Sequence, residues 1–188
     1  IFARLLAEKN GDTISTAANT KFADIPAHAW YSGYVKYLSN NGITYGKSKT
    51  IFAPNDAITR AEFTTMAVRF FDVYGDGDAE IMEQFSGFND VSSGYWAAEY
   101  IKYAALHGWI NGYGDGSFHA EREINRAEVV TIVNRLLGRE ADEDYIADNL
   151  RKLNTFPDVT KRHWAYYAVM EAANAHTAVL GESESWSK

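Results

Sequence analysis

The chain has 188 residues, is 46% hydrophobic, and carries a net charge of −7 with a pI near 5.2. It is long enough to bury a substantial core, and its acidity argues against a general nucleic-acid binder, which would carry a basic face. It contains no cysteine, so disulfides play no part and the redox compartment is left open.

No apolar run approaches the ~20 residues that a membrane-spanning helix needs, so no membrane insertion is expected. The chain opens on Ile1-Phe2-Ala3-Arg4-Leu5-Leu6, without an initiator Met or a signal peptide. This reads as the middle of an element in a longer protein.

The chain then repeats itself. Phe22-Ala23-Asp24-Ile25 returns as Phe88-Asn89-Asp90-Val91 and as Phe156-Pro157-Asp158-Val159. Trp30, Trp96 and Trp164 keep the same register, and so do Gly42 with Gly108, Gly46 with Gly112, and Phe52 with Phe118. Arg60 to Arg126 is a step of 126 − 60 = 66 residues. The opening segment also aligns, with Met66-Ala67-Val68-Arg69-Phe70-Phe71 and with Ile132-Val133-Asn134-Arg135-Leu136-Leu137. The expected organisation is the tail of one repeat (1–16), two full repeats (17–80 and 81–144), and the front half of a further, atypical repeat (145–188). Residues 1–9 are available to fill the place of the second helix that this last half-repeat lacks.

Within each repeat the pattern is helix, loop, helix, which makes the fold class mainly α. From Trp30, the residues Tyr34, Tyr37 and Leu38 follow a helical spacing that stops at Gly42. Ala97, Ile101, Ala104 and Ala105 do the same up to Gly108, and the third copy runs from Trp164 through Val169 and Ala172. The loop Gly112-Tyr113-Gly114-Asp115-Gly116-Ser117-Phe118 uses glycine where positive φ is needed. Its counterpart Gly46-Lys47-Ser48-Lys49-Thr50-Ile51-Phe52 lacks the Asp-Gly pair, so a different loop path is expected. A second helix follows each loop, placing Phe63, Met66, Ala67, Phe70 and Phe71 inward in one copy and Val129, Ile132, Val133, Leu136 and Leu137 in the other. Tyr74-Gly75-Asp76-Gly77-Asp78 and Glu140-Ala141-Asp142-Glu143-Asp144 read as solvated acidic linkers, since the first lacks the ligand set of a calcium loop.

The second helix opens on Ile58-Thr59-Arg60-Ala61-Glu62 in one copy and Ile124-Asn125-Arg126-Ala127-Glu128 in the other. Thr59 with Glu62, and Asn125 with Glu128, have capping-box spacing, in which each side chain satisfies an N–H that the helix leaves open. Capping is worth about 1 kcal/mol per helix and leaves the arginine unexplained. A cation at the first helical position faces the positive end of the helix dipole. Two readings stay open on the residues alone: Arg60 is held by an internal acid such as Asp24 or Glu62, or the arginine and the helix N–H groups converge on an external anion. The tryptophans divide similarly. Core anchoring is their simplest use, while flat aromatic faces also stack on sugar rings.

Taken together, these motifs resemble the S-layer homology domain. The second repeat carries the pattern most fully, in Phe88, Asp90, Val91, Trp96, Ala97, Gly108, Ile110, Gly112, Tyr113, Asp115, Gly116, Phe118, Ile124, Arg126, Ala127 and Glu128. The resemblance implies a bacterial surface protein held non-covalently to secondary cell-wall polysaccharide. It also implies repeats arranged as a pseudo-threefold spindle around a central helical bundle, with ligand grooves between them. It further implies that Arg60 and Arg126 meet the carboxylate of a pyruvylated sugar, helped by helix N–H groups. Trp30, Trp96 and Trp164 would line the grooves, with Asp24 and Asp90 bonding sugar hydroxyls or orienting the arginines. Thr59, Glu62, Gly112, Asn125 and Glu128 complete the expected ligand-binding set. This sequence departs from the family pattern at Asn125 in place of Thr, at Lys47-Ser48-Lys49, and in the missing third Arg-Ala-Glu motif.

The partner implied is an anionic glycan, and self-association in a surface layer is the competing structural use of the same repeats. No cofactor or metal is expected: His28, His107, His119, His163 and His176 lack metal-ligand spacing. Catalysis is not expected either, because Glu62 and Glu128 occupy equivalent cap positions rather than two differentiated environments.

Overall fold

The computed structural model describes residues 1–75, 85–179 and 185–187. Its elements in order are α1 (Phe2–Asn10), α2 (Ser32–Asn40), α3 (Arg60–Tyr74), α4 (Ala98–Leu106), α5 (Arg126–Leu136), α6 (Glu143–Asn149), a 3-10 turn (Leu150–Lys152) and α7 (Tyr166–Ala173). A short hairpin of β1 (Thr177–Val179) and β2 (Ser185–Ser187) follows. The fold is mainly α and built from tandem helix–loop–helix units, as the repeat pattern predicts.

The helix limits follow from local chemistry. Thr59 and Asn125 each form a complete capping box with Glu62 and Glu128, at the starts of α3 and α5. Helices α2 and α4 end where Gly42 and Gly108 turn left-handed, at φ 73° and 68°. The N–H groups that follow fold back: Ile43 donates to Leu38 O and Trp109 to Ala104 O.

The second helices stack on one another, α1 against α3 and α3 against α5. Phe2 stacks on Phe63 and Phe70 at 5.5 and 4.6 Å between ring centroids, and Phe70 is fully enclosed. Each first helix packs on the second helix of the unit before it: α2 on α1, α4 on α3 and α7 on α5. Every inter-repeat junction therefore has the same construction.

The loops differ at the tip and agree at the exit. At the tip, Gly46 has φ 76° while the left-handed glycine of the second loop is Gly116, at φ 78°. A Cβ on Gly112 would lie 2.4 Å from the Phe88 ring, so close packing excludes any other residue there. At the exit, Ala53 and His119 both adopt positive φ, 61° and 55°, a conformation that costs a non-glycine residue about 1–2 kcal/mol. Asp24 holds the first of these strained exits by accepting from the N–H groups of Phe52 (2.9 Å) and Ala53 (2.7 Å). Asp90 does the same for Phe118 and His119, both at 2.7 Å.

One sequence expectation changes here. Glu140 to Asp144 is not linker throughout, because Asp142 caps α6 by accepting from Tyr145 N–H at 2.8 Å. Its other carboxylate oxygen accepts from Trp186 N–H at 3.0 Å and so ties down the C-terminal hairpin. The expected boundary at 80/81 and the Asp76-Gly77-Asp78 stretch lie outside the described residues.

Candidate functional site

Two grooves of about 450 Å³ each lie at the junctions between repeats, a size suited to small ligands. They are built from equivalent positions. The first is lined by Gly46, Lys47, Glu62, Arg69 and Trp96, and the second by Gly112, Tyr113, Glu128, Arg135 and Trp164. In each, the loop and second helix of one unit form one wall, and the tryptophan that opens the next unit forms the other. The three repeat tryptophans are exposed: 73% for Trp30, 56% for Trp96 and 64% for Trp164. Core anchoring is therefore not their role. Trp30 lies outside both grooves and meets Tyr31 and Tyr34 edge-on.

The repeated arginines occupy two unlike environments. Arg60 is only 5% exposed, and its donors are committed inside the protein. Nη1 meets Glu128 Oε1 at 2.7 Å, Nε donates to Phe118 O at 2.9 Å, and Nη2 donates to Asn111 O at 3.3 Å. The partner is neither Asp24 nor Glu62 but the cap glutamate of the following repeat. The start of α3 is also closed to an external anion: Arg60 N–H donates to Arg122 O and Ala61 N–H to Ala120 O. Arg126 is exposed at the start of α5, outside the groove, and has no side-chain partner among the described residues. Asp24 and Asp90 are spent on the loop exits, and Thr59 on its cap. Gly112, Asn125 and Glu128 line the second groove, and Glu62 the first.

Glu128 is the hub of the second groove. It bonds Arg60, Arg122, Tyr113 OH (3.0 Å) and the Asn125 N–H (3.0 Å). Burial pushes its pKa up, but the Asn125 N–H, Arg60, Tyr113 and Arg122 more than offset this and hold it below the ordinary glutamate value. Asp24 is likewise held low, chiefly by the Phe52 N–H. For Asp90, burial opposes ionisation and the N–H groups of Phe118 and His119 outweigh it. A carboxylate whose pKa is lowered by folding adds stability above its unfolded value and loses it as pH falls through the folded one. The melting temperature is therefore expected to stay flat from pH 7 to about 5 and to fall below about 4.5. Circular-dichroism melts would show this, with a shallower acid slope in Asp90→Asn.

Arg69, Tyr113, Arg122 and Arg135 line the grooves outside the expected set, and Arg135 stands apart among them. Its guanidinium faces the second groove with no carboxylate partner among the described residues, and burial alone pulls its pKa below the usual arginine value. The Asn111 amide, turned to donate to Ile110 O, presents its oxygen to Arg135 Nη1 at 3.3 Å. The signal was visible in the sequence, because Arg4, Arg69 and Arg135 share one register in the repeat alignment.

Ser117, His119 and Asp90 approach the order of a nucleophile, base and acid, with Ser117 Oγ 3.0 Å from His119 Nε2. However, Ser117 is 5% exposed and its hydroxyl donates to Asp115 at 2.6 Å. The trio stabilises the loop and offers no attacking group to a substrate.

A stack of helix–loop–helix repeats with aromatic, cation-bearing grooves at the junctions defines a modular repeat protein. Residues 21–64 and 87–130 each match the family model of the S-layer homology domain. The chain belongs to that family, whose repeats occur in bacterial cell-surface proteins. It is similar to cell surface glycoprotein 1 of Acetivibrio thermocellus, at 30% identity over 98% of this chain and 8% of that protein. A cellulosome-anchoring protein of the same organism is 29% identical over 97% of this chain and 39% of its own length. The exoglucanase XynX, also from that organism, is 32% identical over 64% of this chain and 11% of the enzyme. The chain thus spans well under half the length of each of these relatives.

Proposed function

We propose that this chain anchors a surface protein to the bacterial cell wall by holding secondary wall polysaccharide, anionic and pyruvylated, in its inter-repeat grooves. The observation that carries this reading is the pair of exposed tryptophans, Trp96 and Trp164, each forming one wall of a groove whose other wall bears arginine. Exposing a large aromatic side chain at the same place in successive repeats has no packing benefit and marks a contact surface. An aromatic face beside a cation suits a sugar ring that carries a carboxylate. The cellulosome-anchoring relative supports the same use by its name. The match to the exoglucanase covers only 11% of that enzyme, and no catalysis is assigned to this chain from it.

One observation favours the alternative, in which the repeats are purely structural: Arg60 is buried and already paired. Sedimentation with purified cell-wall sacculi decides between them. The wild-type chain is expected to co-sediment, and to lose this after mild acid removal of ketal-linked pyruvate. Trp164→Ala and Trp96→Ala are each expected to weaken binding by about tenfold, the loss of roughly 1.4 kcal/mol of contact energy. A folded wild-type chain that ignores untreated sacculi would establish the structural reading.

A further inference from the structure

The two grooves occupy equivalent junctions and differ in charge. In the first, Lys47 is paired with Glu62, and Arg69 and Asp56 balance each other in number. Arg69 is also occupied: it lies over the Tyr45 ring at 4.6 Å and the Tyr100 ring at 5.0 Å, and donates to Tyr100 OH at 3.3 Å. In the second groove, Asp56 is replaced by Arg122 and Lys47 by Tyr113 in the repeat register. Arg60, Arg122 and Arg135 then face a single carboxylate, Glu128.

Two changes free Arg135: Asn111 stands where Tyr45 does, and the neighbouring helix differs as well. Arg4 meets Tyr34 OH at 3.5 Å and Arg69 meets Tyr100, so a tyrosine of the next first helix holds the arginine at two junctions. The step from Trp96 to Trp164 is 164 − 96 = 68, and the same step carries Tyr100 to Ala168. At the third junction the clasping hydroxyl and ring are therefore absent, and only the Ala168 carbonyl is engaged, by Asn134 Nδ2 at 2.9 Å. An exposed arginine that lines a groove without a counter-charge among the described residues is placed to gain from an incoming anion.

We infer that the grooves divide the ligand by charge: the Arg135 groove takes a sugar bearing an anionic substituent, carboxylate or phosphate, and the Lys47–Glu62 groove takes an uncharged sugar. This deepens the anchoring reading and rests on it for the kind of ligand. Selection arises at Ala168 and Asn111, which stand where Tyr100 and Tyr45 hold Arg69 and so leave Arg135 without either ring.

The test titrates the chain with three probes, methyl glucoside, methyl glucuronide and glucose 6-phosphate, while following the indole N–H signals of Trp96 and Trp164 by NMR. At Trp164 at least one anionic probe is expected to bind about tenfold more tightly than the glucoside, the scale of one charge-assisted hydrogen bond. The glucuronide and phosphate arms separate the two anion sources. At Trp96 the glucoside is expected to bind at least as well as either anion. Ala168→Tyr, which restores the clasp, and Arg135→Gln, a conservative surface change, should each reduce the Trp164 preference to within about twofold. Equal binding of all probes at Trp164, a preference that survives both variants, or silence at both indoles would overturn the inference. Sacculus binding without a groove preference would leave the anchoring role standing alone. A preference without sacculus binding would leave the charge division and remove that role.

Discussion

Glu128→Gln is expected to destabilise the chain by about 3–5 kcal/mol, the usual result of removing one member of a buried ion pair. The variant keeps the size and much of the hydrogen bonding of the side chain but leaves the Arg60 guanidinium enclosed without its counter-ion, at a site with 6% side-chain exposure. Such a loss is a large share of the 5–15 kcal/mol that holds a typical domain. The same substitution one repeat earlier, Glu62→Gln, is the control. Glu62 pairs with Lys47, whose side chain is 43% exposed, and exposed pairs contribute about 0–1 kcal/mol. Urea unfolding of the two variants should therefore give clearly different midpoints despite an identical motif position. Arg126→Ala, which breaks no described contact, should stay within about 0.5 kcal/mol of wild type.

This asymmetry shows where reading a sequence stops. The repeat, the capping boxes and the glycine stops follow from spacing, since each depends on residues a few positions apart or on a fixed offset, whereas the groove position of Trp96 and Trp164 was implied only by the family resemblance. The partner of Arg60 does not. It lies 68 residues away in the next unit, and a motif repeated in sequence gives no sign that its first copy is buried by the second while its second copy is left open. The clasping tyrosines were hidden for a similar reason: their register is plain, but their function depends on two helices from different units meeting. Asp24 and Asp90 show a further limit. A carboxylate that recurs in the repeat register reads equally well as a ligand contact and as a clamp on two backbone N–H groups. Only the positive φ of Ala53 and His119 explains why the clamp is needed.

The second large effect should come from Phe118→Ala, expected to cost about 3–5 kcal/mol. Phe118 is fully buried, stacks on Phe88 at 5.2 Å and lies 4.5 Å beneath the Arg60 guanidinium. Its carbonyl also accepts from Arg60 Nε, so the residue joins the core to the ion pair that links the two repeats. Phe52→Ala removes the same ring from the equivalent position of the preceding loop. That ring is half-buried against Phe22 at 5.3 Å and carries no arginine, and on area alone its loss should cost about 1–2 kcal/mol. Thermal melts would compare the two directly. A larger loss at Phe118 follows from its full burial alone, and locking of the junction through Arg60 would appear as a Phe118→Ala loss that shrinks when Glu128→Gln has already broken the ion pair. In that case the charge at the floor of the second groove depends on an aromatic residue that no ligand reaches.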